Sequence, residues 1–247
     1  MIRNRLCLLV ASSAGAFALL AGASAQAATV TIGSSLGPNL SPRPFNQVGT
    51  IVQTALPGAT LVAPFNGTIT SWQVLGASGG PLKLRVVHPL GGNVFTGAGT
   101  AASGPITGPG VLTFQANLPI KAGDSIGLEP TNVGDTVAVS DNNLTFGFNV
   151  WVPPLADGDP GRAPSDDGSR EVGFNATVVS NCIVPKVKGK KLKAAKKALR
   201  NAGCDPGKVK KPKRVPKKKA RVRKQNPKAG TEVPAGTDVN LKLGRKR

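Results

Sequence analysis

Thr68-Ile69-Thr70-Ser71-Trp72-Gln73-Val74 joins β-branched residues to alternating apolar and polar side chains, the pattern of a strand with one buried face. Outward from it the same texture repeats. Leu82 to Val86, Ser125-Ile126-Gly127-Leu128, Phe146 to Trp151 and Val172-Gly173-Phe174-Asn175-Ala176 are short apolar runs divided by Gly, Pro, Asn and Asp. Runs of about four to eight residues between turn signals predict an all-β sandwich or barrel over residues 28–180. No stretch there holds a 3.6-residue period, and its glycines and prolines would break a helix. A chain of that length buries a core without metal or disulfide help, and the Phe and Trp residues are expected to fill much of it.

Charge divides the chain. Of the net +20, residues 28–181 contribute 6 Lys/Arg against 9 Asp/Glu, whereas residues 182–247 carry 24 against 3. A jump of that size at one point marks a domain boundary. Ahead of both, Arg3 and Arg5 precede an apolar stretch from Leu8 to Leu20, and small residues follow at Ala23-Ser24-Ala25 and Ala25-Gln26-Ala27. Residues 1–27 therefore read as a cleavable signal peptide, too short in its apolar part to span a membrane. Cys7 precedes the apolar stretch, which argues against a lipoprotein. The expectation is a secreted, extracellular or wall-associated protein with no transmembrane segment after cleavage.

Export leaves Cys182 and Cys204 in an oxidising compartment, no methionine, and His88 as the only histidine. Alternation puts His88 on the side of Leu82, Leu84 and Val86, and it reads as structural. Nucleophilic catalysis needs a hydroxyl or thiol beside a base, and such pairs are scarce here. Glycoside hydrolysis needs paired carboxylates. Asp124, Glu129, Asp135 and Asp141 all read as turn residues between strands. No enzyme and no cofactor is expected. The cluster Asp157, Asp159, Asp166 and Asp167 allows a calcium site, but Pro160 and Gly161 stand where an EF-hand would place ligands. A solvated loop, or carboxylates facing the basic module, are the other readings. The sequons at Asn66, Asn143 and Asn175 matter only in a eukaryotic secretory pathway and are read as chance.

Leu118-Pro119-Ile120-Lys121-Ala122-Gly123-Asp124-Ser125-Ile126-Gly127-Leu128 is a tight turn leading into a strand. Gly123 permits positive φ and Asp124 can close the turn through its side chain. The phrase resembles turns of jelly-roll sandwiches, including tumour-necrosis-factor-like and sugar-binding modules, and no binding residues are carried over from it.

The tail opens with Cys182-Ile183-Val184-Pro185-Lys186-Val187-Lys188-Gly189. From Lys190 to Ala202, Leu192, Ala195 and Leu199 share one face with Ala194, Ala198 and Ala202 beside them, predicting an amphipathic helix of about three turns. Gly203 is its expected left-handed stop. Val222, Gln225, Pro227, Gly230, Gly236, Val239 and Leu241 follow. In order, Val184, Pro185 and Gly189, then Ala195, Leu199 and Gly203, then this last series, resemble the PASTA domain across residues 182–247. Ala220 stands where that family usually has glycine. The resemblance implies one helix on a three-stranded sheet and an extracellular role in Gram-positive-type bacteria, where such modules bind peptidoglycan fragments or act as spacers. Cys182 beside the first strand and Cys204 after the helix would then pack together and bond.

Alternation turns Val209, Val222, Val239 and Leu241 inward and Lys208, Lys210, Arg221, Arg223 and Lys242 outward. A field this strong attracts polyanions: peptidoglycan carboxylates, teichoic-type phosphates, anionic lipid or nucleic acid. Residues 182–247 hold no aromatic on which bases could stack, which disfavours specific nucleic-acid binding. The expected protein is a monomeric, non-enzymatic envelope protein held to peptidoglycan or another anionic wall polymer. The alternative is a carbohydrate-active or glycan-binding sandwich, for which Trp72 or Trp151 would be exposed beside carboxylates.

Overall fold

The computed structural model describes residues 27–211 and 220–245. The signal-peptide reading, with Arg3, Arg5 and Cys7, lies outside them. Among the described residues no helix is long and apolar enough to cross a membrane.

The first domain consists of strands alone. In chain order they are β1 (Thr29–Gly33), β2 (Ser41–Pro44), β3 (Thr50–Ala55), β4 (Gly67–Leu75), β5 (Leu82–Gly91) and β6 (Val94–Ala102). Then come β7 (Val111–Ile120), β8 (Ser125–Pro130), β9 (Thr136–Val139), β10 (Gly147–Trp151), β11 (Asp166–Gly168) and β12 (Phe174–Ser180). One sheet has the order β1-β12-β4-β7 and the other β11-β10-β3-β8-β5-β6, while β2 and β9 form a separate ribbon. Number the eight strands β1, β3, β4, β5, β6, β7, β8 and β12 consecutively. The sheets then read 1-8-3-6 and 2-7-4-5, the interleaved double Greek key of a jelly roll. All their pairings are antiparallel.

Alternation fills the space between the sheets. Ile32, Ile69, Trp72, Val74, Phe174, Ala176 and Val178 from one sheet meet Ile51, Leu82, Leu84, Val86, Ile126, Leu128 and Val150 from the other. Trp72 lies 4.8 Å from Phe114, centroid to centroid. On the outer face of the six-stranded sheet a smaller core of Val52, Val87, Trp151 and Leu155 is covered by the chain after β10. There the Trp151 indole N–H donates to Arg162 O at 2.8 Å, and Phe95 meets the ring edge-on. Both tryptophans are 0% exposed.

Under that covering segment lies a feature at odds with the sequence reading. Glu129 is not in a turn. It is a buried residue of β8, paired with Arg85 of β5. Arg85 Nη2 donates to Glu129 Oε2 at 3.0 Å, Nε donates to Oε1, and Nη1 reaches Asp157 at 2.5 Å. Thr50 donates to Glu129 and itself accepts from Leu155 N, which ties the covering segment down. Burial lowers the Arg85 pKa, but the Glu129 and Asp157 carboxylates more than offset this, so the net shift is upward and the guanidinium stays charged. Leu128-Glu129-Pro130 resembles a strand end, and Arg85 lies too far away in sequence to signal a partner.

The expected turn at Lys121–Asp124 is present. Gly123 has φ +91°, and Asp124 Oδ2 accepts from Lys121 N at 2.9 Å. Its other oxygen is 2.6 Å from His88 Nδ1, a structural placement for the single histidine.

The C-terminal domain contains β13 (Cys182–Ile183), α1 (Leu192–Asn201), β14 (Asp205–Lys210), β15 (Ala220–Asn226), β16 (Glu232–Val233) and β17 (Asp238–Arg245). The sheet runs β14-β17-β15, with β14 parallel and β15 antiparallel to β17, and β13 pairs with β16. Ala195 and Leu199 of the helix are buried with Val184, Val187, Val222, Val239 and Leu241, whereas Ala194 is exposed, one step off the helix's inner stripe. Gly203 ends the helix with φ +74°. Cys182 and Cys204 are bonded, with Cα atoms 5.5 Å apart and both side chains in the core.

Candidate functional site

The outer face of the C-terminal sheet is built by its register. Lys242 of β17 stands opposite Lys210 of β14 on one side and Lys224 of β15 on the other, so three lysines form one rung across three strands. Like charges directly opposite one another in a sheet are destabilising. Lys208 lies two residues along β14 from Lys210, and Asn226 stands opposite Asn240. Together with Leu241 these residues border a groove of about 400 Å³. Lys224 also borders a second hollow of about 290 Å³ with Lys186, Lys188 and Lys228. The two hollows meet at Lys224, and all seven lysines are exposed. Among the described residues no lysine of this domain has a carboxylate within 4.0 Å.

Of the residues expected on this face, Lys208, Lys210 and Lys242 line the groove. Arg221 and Arg223 do not. A register shift between Val222 and Lys224 interrupts the alternation, so Lys224 takes the position opposite Lys242. Arg221 stands opposite Gly244 and donates to Ala220 O at 3.0 Å, and the stem of Arg223 lies where a Gly244 side chain would be. A bulge leaves no compositional mark, which is why strict alternation passed over Lys224. Lys186 and Lys188 could have been found, since they flank buried Val187 in an extended segment.

Gln225 fixes the second hollow. Its Oε1 accepts from Val187 N at 2.9 Å and its Nε2 donates to Pro185 O at 3.0 Å. One amide side chain thus satisfies two backbone groups of the segment that carries Lys186 and Lys188. Gly189 N donates to Val222 O and Lys190 O accepts from Val222 N, extending the clamp along β15.

The helix presents a second basic surface on the opposite side. Lys190, Lys191, Lys193, Lys197 and Arg200 are exposed. Lys191 occupies the N-cap position with φ −63° and ψ 150°, makes no side-chain cap, and no acidic residue lies in the first turn. Cations at a helix N-terminus oppose the backbone dipole. The helix is held by Ala195 and Leu199 and by its closed C-terminus, not by its start.

The acidic residues proposed for calcium are dispersed. Asp157 is hydrogen-bonded to Arg85 and Thr100, and Asp159 accepts from Ala156 N and lies 3.8 Å from Arg162. Asp166 and Asp167 sit in β11 against β10. Among the described residues no group of three or more His, Cys, Asp or Glu side chains could hold a metal ion. Asp157 and Asp159 answer arginines of their own domain, not the basic module.

Residues 183–245 match the family model of the PASTA domain, and this segment is a PASTA domain. The sandwich before it has no family assignment. No curated protein and no solved structure matches the chain.

Proposed function

We propose that this is an exported, non-enzymatic envelope protein whose PASTA domain holds it to peptidoglycan or another anionic wall polymer while the jelly roll is displayed. The observation that carries this reading is the lysine rung Lys210–Lys242–Lys224. It aligns three like charges at a cost to the sheet, with no carboxylate among the described residues to relieve them. A polyanion laid across the strands supplies the missing counter-charge. The uncapped, lysine-bearing helix start supports the same reading, since charge is kept where a Ser or Asp would stabilise the fold. The disulfide fits an oxidising location. The two buried tryptophans support a non-catalytic sandwich over a sugar-active one, because neither offers a platform beside carboxylates.

Co-sedimentation with purified wall sacculi tests this, comparing the mature chain with one ending at Ser180. Binding is expected only with the PASTA domain present, and to fall away between low salt and about 1 M, where screening shortens to about 3 Å. Lys210→Gln with Lys224→Gln and Lys242→Gln should weaken it strongly, and Arg221→Ala with Arg223→Ala only modestly. Retention at about 1 M salt, full binding by the triple lysine variant, or complete loss with the arginine pair alone defeats the reading.

A further inference from the structure

The two sheets of the jelly roll are unequal. Four strands face six, and the surplus strands β10 and β11 lie outside β3. Their inner face is closed instead by the β2–β9 ribbon and the residues that follow β2. The closure is incomplete. A cavity of about 370 Å³ remains, floored by Phe45, Ile51, Phe148 and Val150 and bounded by Val139 and Val172. Phe148 and Val150 point the same way along β10, and Ile51 is the cross-strand partner of Val150, so the apolar floor follows from register. The Phe148 ring lies where any side chain on Gly168 of β11 would be, so the glycine leaves the space that the ring occupies.

The rim is polar and its charge is unbalanced. Arg43 and Arg170 both line it, against one carboxylate, Asp166. Arg43 already has a counter-ion of its own, Asp141 at 2.7 Å. Among the described residues, Arg170 makes one side-chain hydrogen bond, from Nη1 to Ser140 O at 2.8 Å. Among the described residues no carboxylate lies within 4.0 Å of its guanidinium. Nη2 and Nε are left to donate elsewhere. A guanidinium with two parallel N–H groups available matches a carboxylate in bidentate fashion.

We infer that this cavity is a binding site for a small organic monocarboxylate with an apolar body, its carboxylate on Arg170 and its body against Phe45 and Phe148. The volume falls at the lower end of small-molecule sites, which fits a single compact ligand and not a polymer. One uncompensated guanidinium beside Asp166 suits a single negative charge, since a dianion would meet that carboxylate. The site is separate from the lysine groove and stands independently of the polymer-binding reading.

Methyl NMR on the full mature protein tests it, with hydrocinnamate as the probe and its neutral amide, hydrocinnamide, as the control. Hydrocinnamate should shift the methyl signals of Ile51, Val139, Val150 and Val172 and saturate with a Kd of about 1–10 mM, as expected for a ligand of this size. Anion held loosely by the lysines would leave those methyls unmoved. The amide should bind about tenfold or more weakly, and Arg170→Gln should cause a similar loss with hydrocinnamate, as when one charged hydrogen-bonding group is removed. If Arg170→Gln perturbs the fold, the wild-type comparison of acid and amide still decides. Unmoved cavity methyls, equal binding of acid and amide, or full binding by a folded Arg170→Gln protein overturns the assignment.

Discussion

Replacing Glu129 with leucine leaves the Arg85 guanidinium in a pocket built for a carboxylate. The two side chains are only 8% and 3% exposed, so water cannot take the place of the lost oxygens. Arg85 would keep Asp157, which is half exposed and a weaker counter-charge, and Thr50 would lose the acceptor for its hydroxyl. Breaking a buried pair on one side costs about 3–5 kcal/mol, a large share of a domain's total stability. At about 2–4 °C per kcal/mol for a domain of this size, the sandwich should melt about 6–20 °C lower. Arg85→Met with Glu129→Leu removes both charges and should recover stability to within about 1 kcal/mol of the parent. Urea unfolding followed by tryptophan fluorescence reads this cleanly. The chain's two tryptophans, Trp72 between the sheets and Trp151 in the smaller outer core, are both buried in the sandwich domain, so the PASTA domain is silent. A loss below about 1 kcal/mol in the single variant, or a double variant no more stable than the single, refutes the account of a charge left buried and unpaired.

Cys182→Ala with Cys204→Ala should cost the PASTA domain roughly 3 kcal/mol, since the bond closes a loop of sequence separation 22. Loss of helical circular dichroism at lower temperature measures it, and thiol labelling of the unreduced, denatured parent should find no free cysteine. Lys191→Asp should stabilise the same domain by about 1 kcal/mol, by capping the helix and removing a cation from its positive end. A neutral or destabilising result there would mean that the first turn is held by contacts other than its cap.

How much was legible depended on how local the signal was. The strands around Trp72, Leu84, Leu128 and Phe174 announced themselves because each carries its own alternation and its own turns. The helix and its stop at Gly203 were equally local, although Ala194 falls outside the inner stripe. The double Greek key was only hinted at by the Lys121–Asp124 turn, because strand order is a property of distant pairs. Ser41-Pro42-Arg43-Pro44 has no apolar face, so nothing marked it as half of the ribbon that closes the cavity. Glu129 was misread for the same reason, its partner standing 44 residues away. In the lysine groove, alternation found β14 and β17 correctly and failed at the bulge in β15, where one extra residue shifts the side chains that follow.

Only Asn181 separates the end of β12 from the start of β13. Its backbone N–H donates to Asn66 O at 3.0 Å, just ahead of β4, and its side chain donates to Glu232 of the PASTA domain at 3.1 Å. If the PASTA domain is anchored as proposed, tension on it would reach the sandwich through β12, with no slack linker to absorb it. That strand is interior, paired with β1 through five residues and with β4 through seven. Pulling along it loads two hydrogen-bond ladders in shear at once, where an edge strand would load only one. Resistance to such pulling is governed by the unfolding rate, not by equilibrium stability. Anchoring through the PASTA domain, as proposed, would thus grip the sandwich by a strand placed to bear a load.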